Sequence, residues 1–251
     1  MLRSCLTTGL FTLACVSSFS ATADTVLGVY AGVASWQQEV SGNVASGISD
    51  LDLENDLGLD DDTNNMFYVA LEHPIPVLPN IRVQHSDISL GGDNVLNRTI
   101  EFNGNAFTVA EQVATDIELS QSDAVFYYEV LDNYLTLDLG LAARYVDGYV
   151  NVSSTTSSAN ADFSGVIPML YAQARVDLPL TGFWVGVQAQ GVAYDGNQLL
   201  DANAQVGWES AIGLGLEVGY RAFHLELEEF DEVDTAEIDV EGVYFGLNYH
   251  F

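Results

Sequence analysis

Residues 134–146, with the sequence YLTLDLGLAARYV, decide the fold of this chain. Apolar side chains occupy the odd positions from Leu135 to Tyr145, and the even positions carry polar, charged or small residues. Alternation with a period of two residues is typical of a β-strand with one apolar face. The apolar row is about 33 Å long at about 3.3 Å per residue, and a strand tilt of about 40° reduces it to about 25 Å. This is the height of the lipid-facing band of an outer-membrane barrel.

The same alternation recurs along the chain and predicts ten antiparallel strands. Their predicted ranges are 25–40, 64–73, 80–102, 106–130, 134–152, 160–178, 183–195, 198–209, 213–228 and 236–251. Short connections at 73–80, 131–133, 179–182 and 210–212 alternate with longer or more polar ones at 41–64, 103–104, 153–160, 195–197 and 229–235. We therefore expect an all-β fold, a single-chain antiparallel transmembrane β-barrel in the outer membrane of a Gram-negative bacterium. The short turns and both termini are expected to be periplasmic, and the longer loops extracellular.

The N-terminal residues 1–23 have the features of a cleavable signal peptide. Arg3 precedes a mainly apolar stretch, and Ala21-Thr22-Ala23 supplies the small residues of a cleavage site. The barrel is therefore expected to comprise residues 24–251. A lipoprotein attached through Cys15 is the alternative, which Thr12 disfavours because a lipobox prefers leucine there. The only other cysteine, Cys5, also lies in this segment, so we expect no disulfide in the barrel.

The last predicted strand ends in the sequence VYFGLNYHF, residues 243–251. An alternating apolar row that ends on phenylalanine resembles the signal by which the outer-membrane barrel assembly machinery recognises its substrates. The predicted signal consists of Val243, Phe245, Leu247, Tyr249 and Phe251. Further back, Ile238 and Val240 are apolar at even positions, so a β-bulge is expected near Glu241 and Gly242.

Charge and hydropathy exclude several classes of protein. The chain has 6 Lys and Arg residues against 36 acidic ones, and its net charge of −30 argues against binding to nucleic acid. A hydrophobic content of 48% argues against a disordered acidic chain. After the signal segment no stretch approaches 18 apolar residues, which excludes a membrane protein built of helices. A soluble barrel such as a lipocalin-like carrier remains the alternative fold, because alternation does not say which face is inside.

Four stretches resemble a family of short, acidic proteobacterial outer-membrane β-barrel proteins with no settled function. They are residues 51–62 (LDLENDLGLDDD), 68–74 (YVALEHP), 127–133 (YYEVLDN) and 168–171 (PMLY). The resemblance implies the barrel fold, the outer-membrane location and contact with outer-membrane lipid and lipopolysaccharide. It implies no catalytic residue and no oligomeric state.

Aromatic residues near the strand ends predict the two girdles of a membrane barrel. Phe67, Tyr128, Tyr134, Phe183, Trp208, Tyr249 and Phe251 are assigned to the periplasmic girdle, and Trp36, Tyr145 and Tyr220 to the outer one. Pro168, inside a strand, is expected at the outer rim or at a bulge.

Charged residues on the opposite, inward-facing strand positions form a predicted lumen network. It consists of Arg82, Arg144, Arg175, Arg221, Glu72, Glu129, Asp138, Asp177, Asp201, Glu209 and Glu217. One interpretation is a narrow, porin-like passage that prefers cations. The other is a packed lumen in which arginines neutralise carboxylates, and it is favoured because a ten-stranded barrel is only slightly wider than an eight-stranded one. The main functional hypothesis is a barrel without enzymatic activity that supports the envelope or passes small solutes.

Two further hypotheses concern the outer loops and the histidines. The first loop carries Asp50, Asp52, Glu54, Asp56, Asp60, Asp61 and Asp62, oxygen ligands of the kind that Ca²⁺ or Mg²⁺ prefers, although the spacing is not that of an EF-hand. These acidic loops would bind divalent cations or a surface partner; otherwise no cofactor is expected. An outer-membrane hydrolase, of the omptin or lipid A-modifying type, is the other alternative. His224, beside Glu226 and Glu228, is its candidate general base, because His73 and His250 are periplasmic and His85 with Asp87 is placed near a short turn.

Overall fold

The structure is a computed structural model that describes residues 27–46, 49–75, 77–230 and 233–251. The predicted signal peptide and its cleavage site lie outside these residues. Within the described ranges no helix is long and apolar enough to span a membrane. The same ranges contain thirteen strands, which are β1 (Gly28–Ser46), β2 (Ser49–Asp52), β3 (Asp62–Glu72), β4 (Asn80–Val95), β5 (Ile100–Phe102), β6 (Asn105–Phe107), β7 (Gln112–Asp132), β8 (Leu135–Ser154), β9 (Ser158–Asp177), β10 (Phe183–Tyr194), β11 (Asn197–Glu209), β12 (Leu214–Phe230) and β13 (Val233–His250).

Ten of these strands form a closed antiparallel barrel. Each of β1, β3, β4 and β7 to β13 pairs with its neighbour in that order, and β13 pairs back with β1. The closing ladder begins at Val29 and Phe251, whose backbones exchange hydrogen bonds of 3.0 and 2.9 Å. The predicted ten-stranded antiparallel barrel is confirmed. We call the end with the short turns the turn end, and the opposite end the loop end.

Side chains alternate between the outside and the lumen along every barrel strand. In β8, Leu139, Leu141 and Tyr145 are exposed on the outside, while Asp138 and Arg144 are buried in the lumen. The predicted girdle residues Phe67, Tyr128, Tyr134, Phe183, Trp208, Tyr249, Phe251, Tyr145 and Tyr220 are exposed on the outer wall. The outer wall therefore carries an apolar belt, as a lipid-facing surface requires.

The girdle assignment of Trp36 is wrong, because its side chain is fully buried in the lumen. The expected bulge near Glu241 and Gly242 is also wrong: the β1–β13 ladder keeps one register from Tyr30↔His250 to Ala45↔Thr235. Val240 is buried on the same inward face as Tyr244. Both errors have one cause, since apolar residues were assigned to the lipid side whereas the lumen near the loop end is itself apolar.

Two predicted strands, 80–102 and 106–130, are shorter than expected. The barrel strand β4 ends at Val95, β7 begins at Gln112, and a separate hairpin of β5 and β6 lies between them. The predicted turn is present, with φ angles of 45° at Asn103 and 73° at Gly104. The hairpin continues the alternation of the strands beside it, so the periodicity could not reveal the break. Pro168 lies inside β9, where it pairs with Ala143, and not at the outer rim; the β9–β10 ladder stops two residues from it, at Leu170↔Gly191, because proline has no N–H to donate.

Candidate functional site

The middle of the lumen contains a buried network of two arginines and two aspartates. Arg144 donates from Nε and Nη2 to the two carboxylate oxygens of Asp123, both at 2.7 Å. Its Nη2 also donates to Asp201 at 2.6 Å. Arg221 donates to Asp201 from Nε at 2.8 Å and from Nη2 at 2.6 Å. Because the four residues come from β7, β8, β11 and β12, the network joins four strands across the lumen; we call it the central network.

Neutral side chains extend the central network, although Nη1 of Arg144 is buried without a hydrogen-bond partner. Gln84 and Gln190 donate to Asp123 at 2.8 and 3.2 Å. The guanidinium of Arg221 lies 4.5 Å above the ring of Trp36, which explains why this tryptophan faces inward. Arg144 is 0% exposed, and buried charges of this kind are tolerated only when they are paired and hydrogen-bonded.

The remaining predicted lumen charges lie between the central network and the turn end, around a cavity of about 380 Å³. Tyr127 donates to Glu72 at 2.8 Å, and the guanidinium of Arg82 lies 3.9 Å from the ring centroid of Tyr68. Arg175 lies 4.3 Å above the ring of Trp184. The predicted carboxylates Glu129, Asp138, Asp177, Glu209 and Glu217 also line this cavity. The structure thus brings all eleven predicted charges into the lumen, mixed with large aromatic side chains.

Apolar side chains from the first loop and from the β5–β6 hairpin are buried at the loop end. We call this set the apolar plug; it consists of Leu51, Leu53, Leu57, Leu59, Ile100, Phe102 and Phe107. The plug packs in one cluster with inward-facing side chains such as Leu90, Leu199 and Phe223. Burial stabilises each such side chain by about 1.5–3 kcal/mol. The plug therefore covers the polar lumen with a tightly held apolar layer.

One ion pair fastens the first loop to the segment before the hairpin. Arg98 donates to the carboxylate of Asp56 at 2.6 Å and to the backbone carbonyl of Asp50. This hydrogen bond from Arg98 holds the pKa of Asp56 below its usual value. Asn94 adds side-chain hydrogen bonds of 2.6 and 3.0 Å to the carbonyls of Asn55 and Asp56.

The other acidic residues of the first loop have structural or solvent-exposed positions. Asp52 accepts hydrogen bonds from the backbone N–H groups of Glu54 and Asn55. Asp60, Asp61 and Asp62 are exposed. In the part of the chain that the structure describes, no group of three or more His, Cys, Asp or Glu side chains could hold a metal ion. Calcium or magnesium binding stays a prediction, which the absence of a calorimetric signal at millimolar Ca²⁺ would contradict.

The histidines lie at the ends of the barrel that the sequence predicted, and the hydrolase hypothesis stays a prediction. His224 contacts Asp239 at 2.7 Å, but it alternates with the buried Arg221 and Phe223 and so lies on the outer wall. His250 lies at the turn end, 3.5 Å from Glu209. His85 lies five residues into β4, whose start at Asn80 agrees with the predicted strand, and contacts Ser122 and Asp87. Sequence reasoning missed Ser122 because the β4–β7 register, which pairs it with His85, is not visible in either segment alone.

Comparisons with known proteins agree with the fold. No family model matches the chain, and no curated protein matches it in sequence. The structure of the outer membrane protease OmpT from Escherichia coli is similar, with a TM-score of 0.51 and 10% identity over 90% of this chain and 96% of that chain. The transport unit of the autotransporter AIDA-I from Escherichia coli has a TM-score of 0.43 at 9% identity over 95% of this chain and 94% of that chain. The outer membrane protein OprG from Pseudomonas aeruginosa has a TM-score of 0.40 at 12% identity over 91% of this chain and 97% of that chain.

At this identity the likeness to OmpT shows the fold alone. Together with the closed ladder and the apolar outer wall, it defines the chain as a β-barrel protein of the outer-membrane class.

Proposed function

We propose that this protein is a closed barrel that does not conduct solutes and acts in the envelope through its outer wall and its loops. The observation that carries the proposal is the filling of the lumen at two levels. The central network crosses the middle of the barrel, and the apolar plug covers it at the loop end. A hydrated ion would have to displace paired charges and then cross an apolar layer. This supports the packed lumen over the cation-selective passage.

The proposed orientation places the turn end in the periplasm and the loop end outside the cell. The turn end has short connections of two to seven residues, whereas the loop end carries the first loop and the β5–β6 hairpin, as is typical of outer-membrane barrels. In this orientation the cavity of about 380 Å³ faces the periplasm. The chain is further proposed to belong to the family of short acidic proteobacterial barrels that it resembles.

Liposome swelling tests the closed lumen. Liposomes containing the refolded barrel should take up small sugars or glycine no faster than empty liposomes. Liposomes prepared in the same way with a porin serve as the positive control. A deletion of the hairpin, residues 99–108, combined with Arg144→Ala removes the hairpin part of the apolar plug and the cation that pairs with Asp123, and this weakening of both barriers should permit uptake if the variant retains the heat-shifted gel mobility of a folded barrel. Uptake through the wild-type protein would contradict the proposal.

A further inference from the structure

Three polar side chains on the outer wall are linked by successive contacts. The hydroxyl of Ser122 on β7 lies 2.9 Å from Nδ1 of His85 on β4. Nε2 of the same ring lies 3.3 Å from a carboxylate oxygen of Asp87, two residues along β4. The tautomer with its proton on Nε2 leaves Nδ1 free to accept the Ser122 proton, and the 3.3 Å contact of Nε2 with Asp87 is electrostatic, since it does not have hydrogen-bond geometry. Serine, imidazole and carboxylate thus stand in the order that activates a serine nucleophile.

The three residues lie at the edge of the apolar belt that is nearer the loop end. His85 pairs across the sheet with Phe67 on one side and Ser122 on the other, and Ser122 pairs with Tyr145. Phe67 and Tyr145 are exposed aromatic residues of the outer wall that share this row, so the prediction that Phe67 belongs to the periplasmic girdle is wrong, and the row lies at the level of the girdle nearer the loop end. Asp87 lies one row nearer the loop end, opposite Ser120. The contacts therefore straddle the boundary at which acyl chains meet the polar headgroups of a bilayer.

The surface around Ser122 is open to a lipid. The row directly below it toward the turn end contains Ala124, paired with Val83 and with Ala143. Two alanines side by side make the wall on the turn-end side of the hydroxyl apolar and free of large side chains. The ring of Phe67 lies 4.9 Å from that of His85 and limits the positions that the imidazole can adopt. The side chains of His85 and Asp87 are 25% and 40% exposed, so a substrate can reach them.

We propose that Ser122, His85 and Asp87 form a hydrolytic site on the outer wall that cleaves ester-linked acyl chains of membrane lipids. Ser122 Oγ attacks the acyl carbonyl carbon, and its proton passes to Nδ1 of His85. The ester C–O bond then breaks, and the same proton leaves with the lipid alcohol. Water attacks the resulting acyl-serine and gives its proton to His85, which returns it to Ser122 as the fatty acid departs. Asp87 orients the imidazole and stabilises its charged form. This activity requires no passage through the lumen and is independent of whether the lumen is closed.

A fluorophosphonate probe, which labels activated serines, tests the site without assuming a lipid. Refolded wild-type barrel should be labelled at Ser122, and Ser122→Ala and His85→Asn should reduce labelling to background. Ser120→Ala is the matched control, because Ser120 is the outward-facing serine one row away on the same strand, and it should be labelled like the wild type. Heat-shifted gel mobility checks that each variant is folded. Absence of labelling at Ser122 in the folded wild type would overturn the proposal.

Fatty-acid release identifies the lipid. Vesicles of glycerophospholipid and vesicles of lipopolysaccharide are incubated separately with the barrel, and free acid is measured by mass spectrometry. Release from either source should fall at least about 1000-fold in Ser122→Ala and His85→Asn, and by at least about tenfold in Asp87→Asn, since loss of the orienting carboxylate costs less than loss of nucleophile or base. Release that is unchanged in Ser122→Ala, or no release from either vesicle, would overturn the proposal.

Discussion

Replacing Arg144 by methionine removes the central cation of the lumen while keeping most of the side-chain volume. Arg144 makes three hydrogen bonds of 2.6–2.7 Å and is 0% exposed. Asp201 keeps both of its bonds to Arg221, whereas Asp123 is left with only two glutamine amides. Loss of one partner from a buried ion pair costs about 3–5 kcal/mol because the other charge stays buried. The free energy of unfolding should fall by that amount in Arg144→Met.

Arg175→Met is the matched control for this prediction. Arg175 also lies in the lumen, over Trp184 and beside Asp177, but its side chain is 27% exposed and its partner 44% exposed. Exposed ion pairs contribute about 0–1 kcal/mol and a cation–π contact about 0.5–1 kcal/mol, so the control should lose no more than about 2 kcal/mol. Urea unfolding of barrels refolded in liposomes, followed by tryptophan fluorescence, measures both values.

A double variant isolates the cause of the loss. If the destabilisation comes from the uncompensated carboxylate, adding Asp123→Asn to Arg144→Met should recover about 1–3 kcal/mol, because the unpaired charge is removed. Equal losses of free energy in Arg144→Met and Arg175→Met, or a further loss when Asp123→Asn is added to Arg144→Met, would refute the assignment of the destabilisation to a buried, unpaired carboxylate.

Two further predictions concern the loop end and the orientation. The Arg98–Asp56 contact contributes stability above the ordinary carboxyl pKa of about 4, and this stability is lost as the pH falls through the lowered pKa of Asp56. Amide hydrogen exchange at residues 53–59 of the wild type, corrected for its intrinsic pH dependence, should therefore be faster at pH 2 than at pH 7. In Arg98→Gln the corrected exchange should already be faster at pH 7 and should change less with pH. Equal exchange in both proteins at pH 7 would contradict this role of Arg98. The orientation is tested with single cysteines in a protein from which Cys5 and Cys15 are absent, either by processing or by substitution. A membrane-impermeant maleimide added to intact cells should label Asn103→Cys at the hairpin tip and should not label Thr181→Cys at a short turn. The reverse pattern would overturn the proposed orientation.

The strands and their closure were predictable because a lipid-facing strand must alternate. The contrast between Leu139 and Asp138 in one strand is a local pattern, and a window of a dozen residues contains all of it. The plug was not predictable in this way. Phe107 at the loop end and Phe67 on the outer wall belong to equally apolar patterns, and only the folded barrel separates a plug residue from a lipid-facing one.

The candidate sites show the same division. The alternation of side chains along β8 and β11 predicted that Arg144 and Asp201 face inward. Their mutual contact could not be predicted, because it depends on the curvature of the closed barrel. The Ser122–His85 contact depends on register, because a shift of one residue between β4 and β7 would turn one of the two side chains into the lumen. Trp36 was misplaced because a tryptophan near a strand end is typical of a girdle, whereas here its ring supports Arg221.

Single-channel recording in a planar lipid bilayer tests the closed lumen most directly. Refolded wild-type barrel, inserted at a density verified by gel analysis of the same preparation, should give no discrete conductance steps in 1 M KCl at either polarity. Removal of residues 99–108 together with Arg144→Ala should produce steps in the same membrane. Regular, cation-selective steps from the wild-type protein would contradict a lumen filled by the central network and the apolar plug.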